Sequence, residues 1–187
     1  MKNIIIMGLP CAGKGTACKK IAEQLGFEHI STGDLIRKEQ EIGSAIGKLA
    51  DKKINVGSYM PDSIVTKMVK EKIIGSVNSV GFLYDGFPRT KEQAKQLNAL
   101  LLQRQNRIDY VIFVDVDETT AVERMRARAV SQNRPDDNES VFKSRIHEYN
   151  TQTMPIIKFF EDKGLLVKIN GSQDKEAVVN DIIKTIS

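Results

Sequence analysis

The chain has 187 residues, 41% hydrophobic and 28% charged, and 28 Lys plus Arg against 24 Asp plus Glu leave a net charge of +4. That length suits one domain burying roughly 70% of its unfolded surface, and no apolar run approaches the roughly 20 residues that span a bilayer. Trp is absent, aromatics are 6% and no long basic block occurs, which argues against a nucleic-acid binder. Cys11 and Cys18 are too few for a disulfide framework, and nothing near them in sequence suggests a zinc site. With no charged-then-apolar leader, the expected location is a reducing cytoplasm.

In chain order, Ile4–Met7 reads as a buried strand that runs directly into Gly8-Leu9-Pro10-Cys11-Ala12-Gly13-Lys14-Gly15-Thr16. Ala17, Ile21 and Leu25 then recur every four residues, a helix through Leu25. Strand, glycine loop and helix N-terminus make an anion cradle: backbone N–H groups converge, the helix dipole favours negative charge and Lys14 adds a point cation. The segment predicts a nucleoside polyphosphate site. A strict phosphate-loop pattern would place Ser or Thr directly after the lysine, yet Gly15 stands there and Thr16 follows. A bland glycine turn closing a βα unit is the alternative, but it leaves Lys14 between two glycines without a role.

A second strand is expected over Glu28–Ile30, followed by Ser31-Thr32-Gly33-Asp34-Leu35-Ile36-Arg37. Residues 32–61 carry short helical patterns broken at Gly43, Gly47 and Gly57. Ile64, Val65, Met68, Val69 and Ile73 share a helix face. Phe82–Tyr84 reads as a strand entering Asp85-Gly86-Phe87-Pro88-Arg89, and Thr90-x-x-Gln93 fits a helix capping box. Tyr110–Val116 is a fourth strand, and Arg124 and Arg128 are i, i+4 on the next helix. Residues 129–138 are polar and brief. Leu165–Ile169 is a fifth strand, and Asp174 caps a helix whose face is Val178, Val179, Ile182, Ile183 and Ile186. Strands alternating with helices predict a mainly parallel sheet covered on both faces, with ligands at the carboxyl ends of its strands.

The Gly-x-Pro-x-x-Gly-Lys-Gly-Thr loop, Ser31–Arg37 and Tyr84–Ala94 together resemble the nucleoside monophosphate kinases, and among them the adenylate kinases, over the whole chain. In that family a glycine normally follows the lysine, whereas Cys11 stands where the loop usually has glycine. The resemblance implies a P-loop NTPase-like α/β fold with five parallel strands in the order 2-3-1-4-5. It also implies a core of 1–31, 62–128 and 139–187, a monophosphate-binding arm at 32–61 and a short lid at 129–138 without the zinc of longer lids. The implied reaction is reversible, Mg²⁺-dependent ATP + AMP to 2 ADP by a monomer, with ATP, AMP and ADP as substrates and neither nucleic acid nor membrane as partner.

Residue by residue, the resemblance implies ATP binding by Cys11, Ala12, Gly13, Lys14, Gly15, Thr16, Arg124, Arg128 and Gln173, with Arg124 against the adenine. It implies AMP binding by Thr32, Arg37, Ser58, Tyr59, Met60, Gly86, Phe87, Pro88, Arg89 and Gln93, with Arg134 and Arg145 closing over the transferred group. Lys14, Arg89, Arg128, Arg134 and Arg145 form the catalytic set. Asp85, shared with Asp34, would hold the water shell of Mg²⁺. Thr32 and Gln93 go with adenine, where pyrimidine monophosphate kinases carry Ala and Asn. Ser58-Tyr59-Met60 replaces the usual Lys/Gln-Leu-Val and reshapes the adenine slot. A cis Phe87–Pro88 bond, which only proline makes cheap, would turn Arg89 into the pocket. The competing readings are a UMP/CMP kinase and, in a different class, a nucleotide-dependent switch.

Overall fold

Five strands, β1 (Lys2–Met7), β2 (Glu28–Ser31), β3 (Gly81–Asp85), β4 (Tyr110–Asp115) and β5 (Leu166–Asn170), pair in parallel in the order β2-β3-β1-β4-β5. The structure is a computed structural model describing residues 1–132, 134 and 136–187. Asn133 and Pro135, within the segment read as a lid, lie outside the described residues. β1 is central, with Ile5 opposite Tyr84 on β3 and Val111 on β4. Its unbroken apolar run is explained by burial on both faces. Ile5 and Met7 pack with α4 (Asp62–Gly75), α5 (Lys91–Gln103) and α8 (Met154–Asp162). Ile4 and Ile6 pack with α1 (Lys14–Leu25), α6 (Glu118–Ser131) and α9 (Lys175–Ile186). No helix among the described residues is long and apolar enough to cross a membrane.

The predicted elements form with small shifts at their ends. β4 stops at Asp115 and β5 starts at Leu166, differences of one residue where strands fray. α1 ends at Leu25 on a left-handed Gly26, the usual glycine stop. The Asp174 carboxylate accepts from the Glu176 and Ala177 amides at 2.9 and 3.0 Å, capping α9 as expected.

Residues 32–61 hold α2 (Thr32–Glu41) and α3 (Ala45–Ile54). Gly43 and Gly57 do lie between helices, with φ of 66° and 78°. Gly47 does not break a helix, contrary to expectation. It sits inside α3, where an added Cβ would come 2.1 Å from the Glu39 carbonyl oxygen, so it is a contact glycine that lets α3 lie against α2. A Cβ on Gly57 would meet Ser144 and the Val141 carbonyl at 2.7 Å, which places the loop after α3 directly on α7 (Glu139–Glu148). A π-helical turn, Tyr149–Thr153, joins α7 to α8.

Candidate active site

The carboxyl ends of the strands open into a cleft of about 940 Å³, and every residue named above for the ATP, AMP and metal positions lines it. Its floor on one side is the loop after β1. Gly8, at φ 142°, passes so close to β4 that a Cβ would lie 2.4 Å from the Val114 carbonyl oxygen. Gly13, at φ 98°, turns the chain into α1, which begins with Lys14. The Lys14 ammonium donates to the Gly8 and Leu9 carbonyls at 2.9 and 2.6 Å. Desolvation draws its pKa from 10.5 down to about 8, against the attraction of Asp85. Arg124 ties the loop to the β5–α9 connection, donating to the Ala12 carbonyl at 2.8 Å and the Gly171 carbonyl at 2.7 Å.

Cys11 takes a left-handed φ of 65°, a conformation that suits glycine. Its sulfur accepts from Arg128 Nη2 at 3.2 Å. Burial nevertheless pushes the thiol pKa up, so the loop presents a neutral thiol.

Over this loop Arg128, Arg134 and Arg145, all expected at the site, meet two carboxylates that sequence reading missed. Asp137, whose side chain is wholly buried, accepts from Arg128 Nε and Nη2 at 2.6 and 2.7 Å and from Arg145 Nη1 at 3.1 Å. Asp136 accepts from Arg134 Nη2 at 3.0 Å and from Arg145. Burial would raise the Asp136 carboxyl, but the two guanidiniums outweigh it and hold the pKa at about 2. Two carboxylates thereby gather three arginines from α6, the segment after it and α7. The only signal in sequence was an Asp-Asp pair beside Arg134.

At the other end, Thr32 Oγ1 donates to the Gly86 carbonyl at 3.0 Å, and Arg89 Nε donates to the same carbonyl at 2.9 Å. The Phe87–Pro88 peptide is cis. Arg37 pairs with Asp34, which also carries the amide that the Ser31 hydroxyl caps at 3.2 Å. Arg37 lowers the Asp34 pKa despite the opposing effect of burial. Tyr59 packs against Arg89, Met60 is buried and Ser58 lies beside them on the cleft wall.

The expected capping box is shifted by one residue. Thr90 Oγ1 accepts from the Gln93 amide at 3.2 Å, but the Gln93 side-chain oxygen accepts from the amide of Arg89, not Thr90, at 2.7 Å. The reason is Asp62 on α4, which accepts from Gln93 Nε2 at 2.8 Å and from the Thr90 hydroxyl at 2.6 Å. Asp62 holds the Gln93 side-chain amide from a distance in sequence that no local pattern marks.

Asp85 ends β3, and one carboxylate oxygen lies 3.2 Å from where a Cβ on Gly15 would be. Its oxygens suit a hard cation held through water. Two separate basic ends in one cleft, with this carboxylate beside the phosphate loop, can bring two phosphorylated molecules into line.

Comparison with known proteins agrees with that geometry. A model of the family described as adenylate kinase matches residues 6–165. The chain is 40% identical over 186 residues to an adenylate kinase of Leptospira biflexa serovar Patoc, covering all of both proteins. It is 39% identical over 180 residues to an adenylate kinase of Hyphomonas neptunium, covering 96% of this chain and 95% of that one. An adenylate kinase of Oceanobacillus iheyensis is 38% identical over 207 aligned positions, with 96% of each chain covered.

Proposed function

Because the chain belongs to the adenylate kinase family, we propose that it catalyses phosphoryl transfer between ATP and AMP, giving 2 ADP, in adenine nucleotide homeostasis. The carrying observation is one cleft with the phosphate loop at one end and Arg37, Arg89, Thr32 and Gln93 at the other. A switch protein needs one nucleotide site; this cleft has two facing ends.

In the mechanism, an AMP phosphate oxygen attacks the γ-phosphorus of ATP and the bond to the β,γ-bridging oxygen breaks, releasing ADP on both sides. Such a transfer needs alignment and charge compensation more than a strong base. Lys14 and the backbone amides around it hold the triphosphate, and Arg128 adds charge there. Arg37 and Arg89 seat the AMP phosphate. Arg134 and Arg145 close over the moving phosphoryl group, held ready by Asp136 and Asp137. Arg124 lies against the ATP adenine and Gln173 completes the ATP end. Thr32 and Gln93, with the Ser58–Met60 wall, select adenine on the acceptor side.

Asp85, with Asp34 sharing the task, would hold the water shell of Mg²⁺. Bound there, the ion would neutralise β- and γ-oxygens. Residues 32–61 act as the arm over AMP and 129–138 as a short lid, on a core of 1–31, 62–128 and 139–187. We read the enzyme as a monomer, since the cleft needs no residue from a second copy. It works in the cytoplasm, where its nucleotides are held.

A coupled assay with ATP and Mg²⁺ plus AMP, CMP, UMP or GMP tests the reading. AMP should be preferred by at least tenfold in kcat/KM. A preference for UMP or CMP would transfer the chain to the pyrimidine kinases.

A further inference from the structure

Beneath the phosphate loop, three residues from separate elements converge: Cys18 on α1, His29 on β2 and Asp85 at the end of β3. Their ligand atoms all lie within 4.8 Å of one another. Cys18 is fully buried. His29 Nε2 is buried too and makes no hydrogen bond, its nearest carboxylate oxygen being Asp85 Oδ2 at 3.5 Å. A buried polar nitrogen without a partner is costly and rare in folded proteins. No local spacing around Cys18 marks this cluster, because its partners come from distant strands.

We propose that Cys18 Sγ, His29 Nε2 and the Asp85 carboxylate form a binding site for a soft divalent cation, Zn²⁺ being the fitting ion. Thiolate, imidazole and carboxylate together are a zinc-type donor set, and Mg²⁺ has no use for sulfur or nitrogen. Three protein ligands leave one coordination position for water, and Asp85 faces the cleft, which supplies the path of entry. Cys11 takes no part: its sulfur points to Arg128. The consequence for activity rests on the reading of Asp85 given above. An ion held by Cys18 and His29 ties down that carboxylate and withdraws it from the water shell of Mg²⁺, so the site is inhibitory.

Titration of the full chain with Co²⁺, a spectroscopic stand-in for zinc, tests this in the absence of nucleotide. The expected result is a thiolate-to-cobalt charge-transfer band saturating at one ion per chain and erased by Zn²⁺. The band should persist in Cys11→Ser, vanish in Cys18→Ala and need at least about tenfold more Co²⁺ in His29→Gln, a loss at least as large as that for an outer-shell partner. Cys18→Ala should still turn over ATP and AMP, which shows that it is folded, and Zn²⁺ levels that slow the parent should leave it unaffected. No thiolate band in the parent, a band that survives Cys18→Ala, or unweakened binding by His29→Gln would each overturn the site. A normal band with turnover indifferent to Zn²⁺ would keep the site and overturn the role given to Asp85.

Discussion

The ring of Tyr59 lies over the guanidinium of Arg89, with the Arg89 Cζ 5.1 Å from its centroid. Thr153 reinforces the pair: its hydroxyl donates to the Arg89 carbonyl at 3.0 Å, so the Tyr59 hydroxyl, 3.0 Å away, must donate to Thr153. A tyrosine from the loop between α3 and α4 thus grips the arginine proposed to seat AMP and the turn before α8 at once. Replacing it should loosen Arg89 before it disturbs the fold. Tyr59→Leu removes a cation–π contact worth about 1–2 kcal/mol, so KM for AMP should rise about 5- to 30-fold while KM for ATP stays near the parent value. Tyr59→Phe keeps the ring and should show a smaller rise. Initial rates over both substrates measure it, and an equal change in the two KM values would refute the linkage.

Lys14→Met should lower kcat by roughly 10²–10³, the scale of losing one electrostatic donor at a transferring group. Its far-ultraviolet circular dichroism should match the parent, since the ammonium contacts only the Gly8 and Leu9 carbonyls of the loop and not the apolar core. A variant with most of its turnover would remove Lys14 from the site.

The same lysine predicts a pH dependence of binding. With its pKa drawn down to about 8 by desolvation, it carries its charge below that pH and loses it above. A bound triphosphate favours the charged form, so the pKa must rise in the complex. ATP affinity should be level below about pH 8 and fall above it, by up to tenfold per pH unit. Calorimetric titration at pH 7, 8 and 9 with a non-hydrolysed analogue reads this directly, and a flat profile counts against it.

Asp137 is the hub of the arginine cluster, its side chain wholly buried between Arg128 and Arg145. Removing one partner of a buried ion pair costs about 3–5 kcal/mol because the other charges are left uncompensated. Asp137→Ala should therefore melt about 10 °C lower, given about 2–4 °C per kcal/mol at this size. A bisubstrate analogue carrying five phosphates should raise its melting temperature more than it raises the parent's, since phosphate oxygens replace the missing carboxylate. Equal shifts would show that the cluster does not face the nucleotide.

Cys11 holds a left-handed backbone that costs a side-chain-bearing residue about 1–2 kcal/mol, part of which glycine returns as unfolded-state entropy. Cys11→Gly should stabilise the chain by about 0.5–1 kcal/mol in urea melts even though the contact to Arg128 is lost. A destabilised variant would mean that the sulfur contact outweighs the backbone.

Much of the chemistry was legible in the chain because it is local. A β-branched run, a glycine turn and a lysine at a helix start dictate their own geometry, which is why the loop before α1 and the strand order could be expected from residues and resemblance alone. Gly47 was misread for the same reason. As a lone glycine in a weak helical pattern it looks like a break, and only the approach of Glu39 shows that it is a contact.

What the tertiary structure alone decided are the pairings between elements far apart in the chain. Asp62 reaches Gln93 and displaces the capping box, Thr153 reaches Tyr59 and Arg89, and Asp137 gathers Arg128 and Arg145. Cys18, His29 and Asp85 carry no shared spacing, yet a helix and two adjacent strands bring them together. Backbone propensity and apolar periodicity act over a few residues and can be read in order. Buried polar groups take whatever partner the packed sheet delivers, and that choice exists only once the strands have paired.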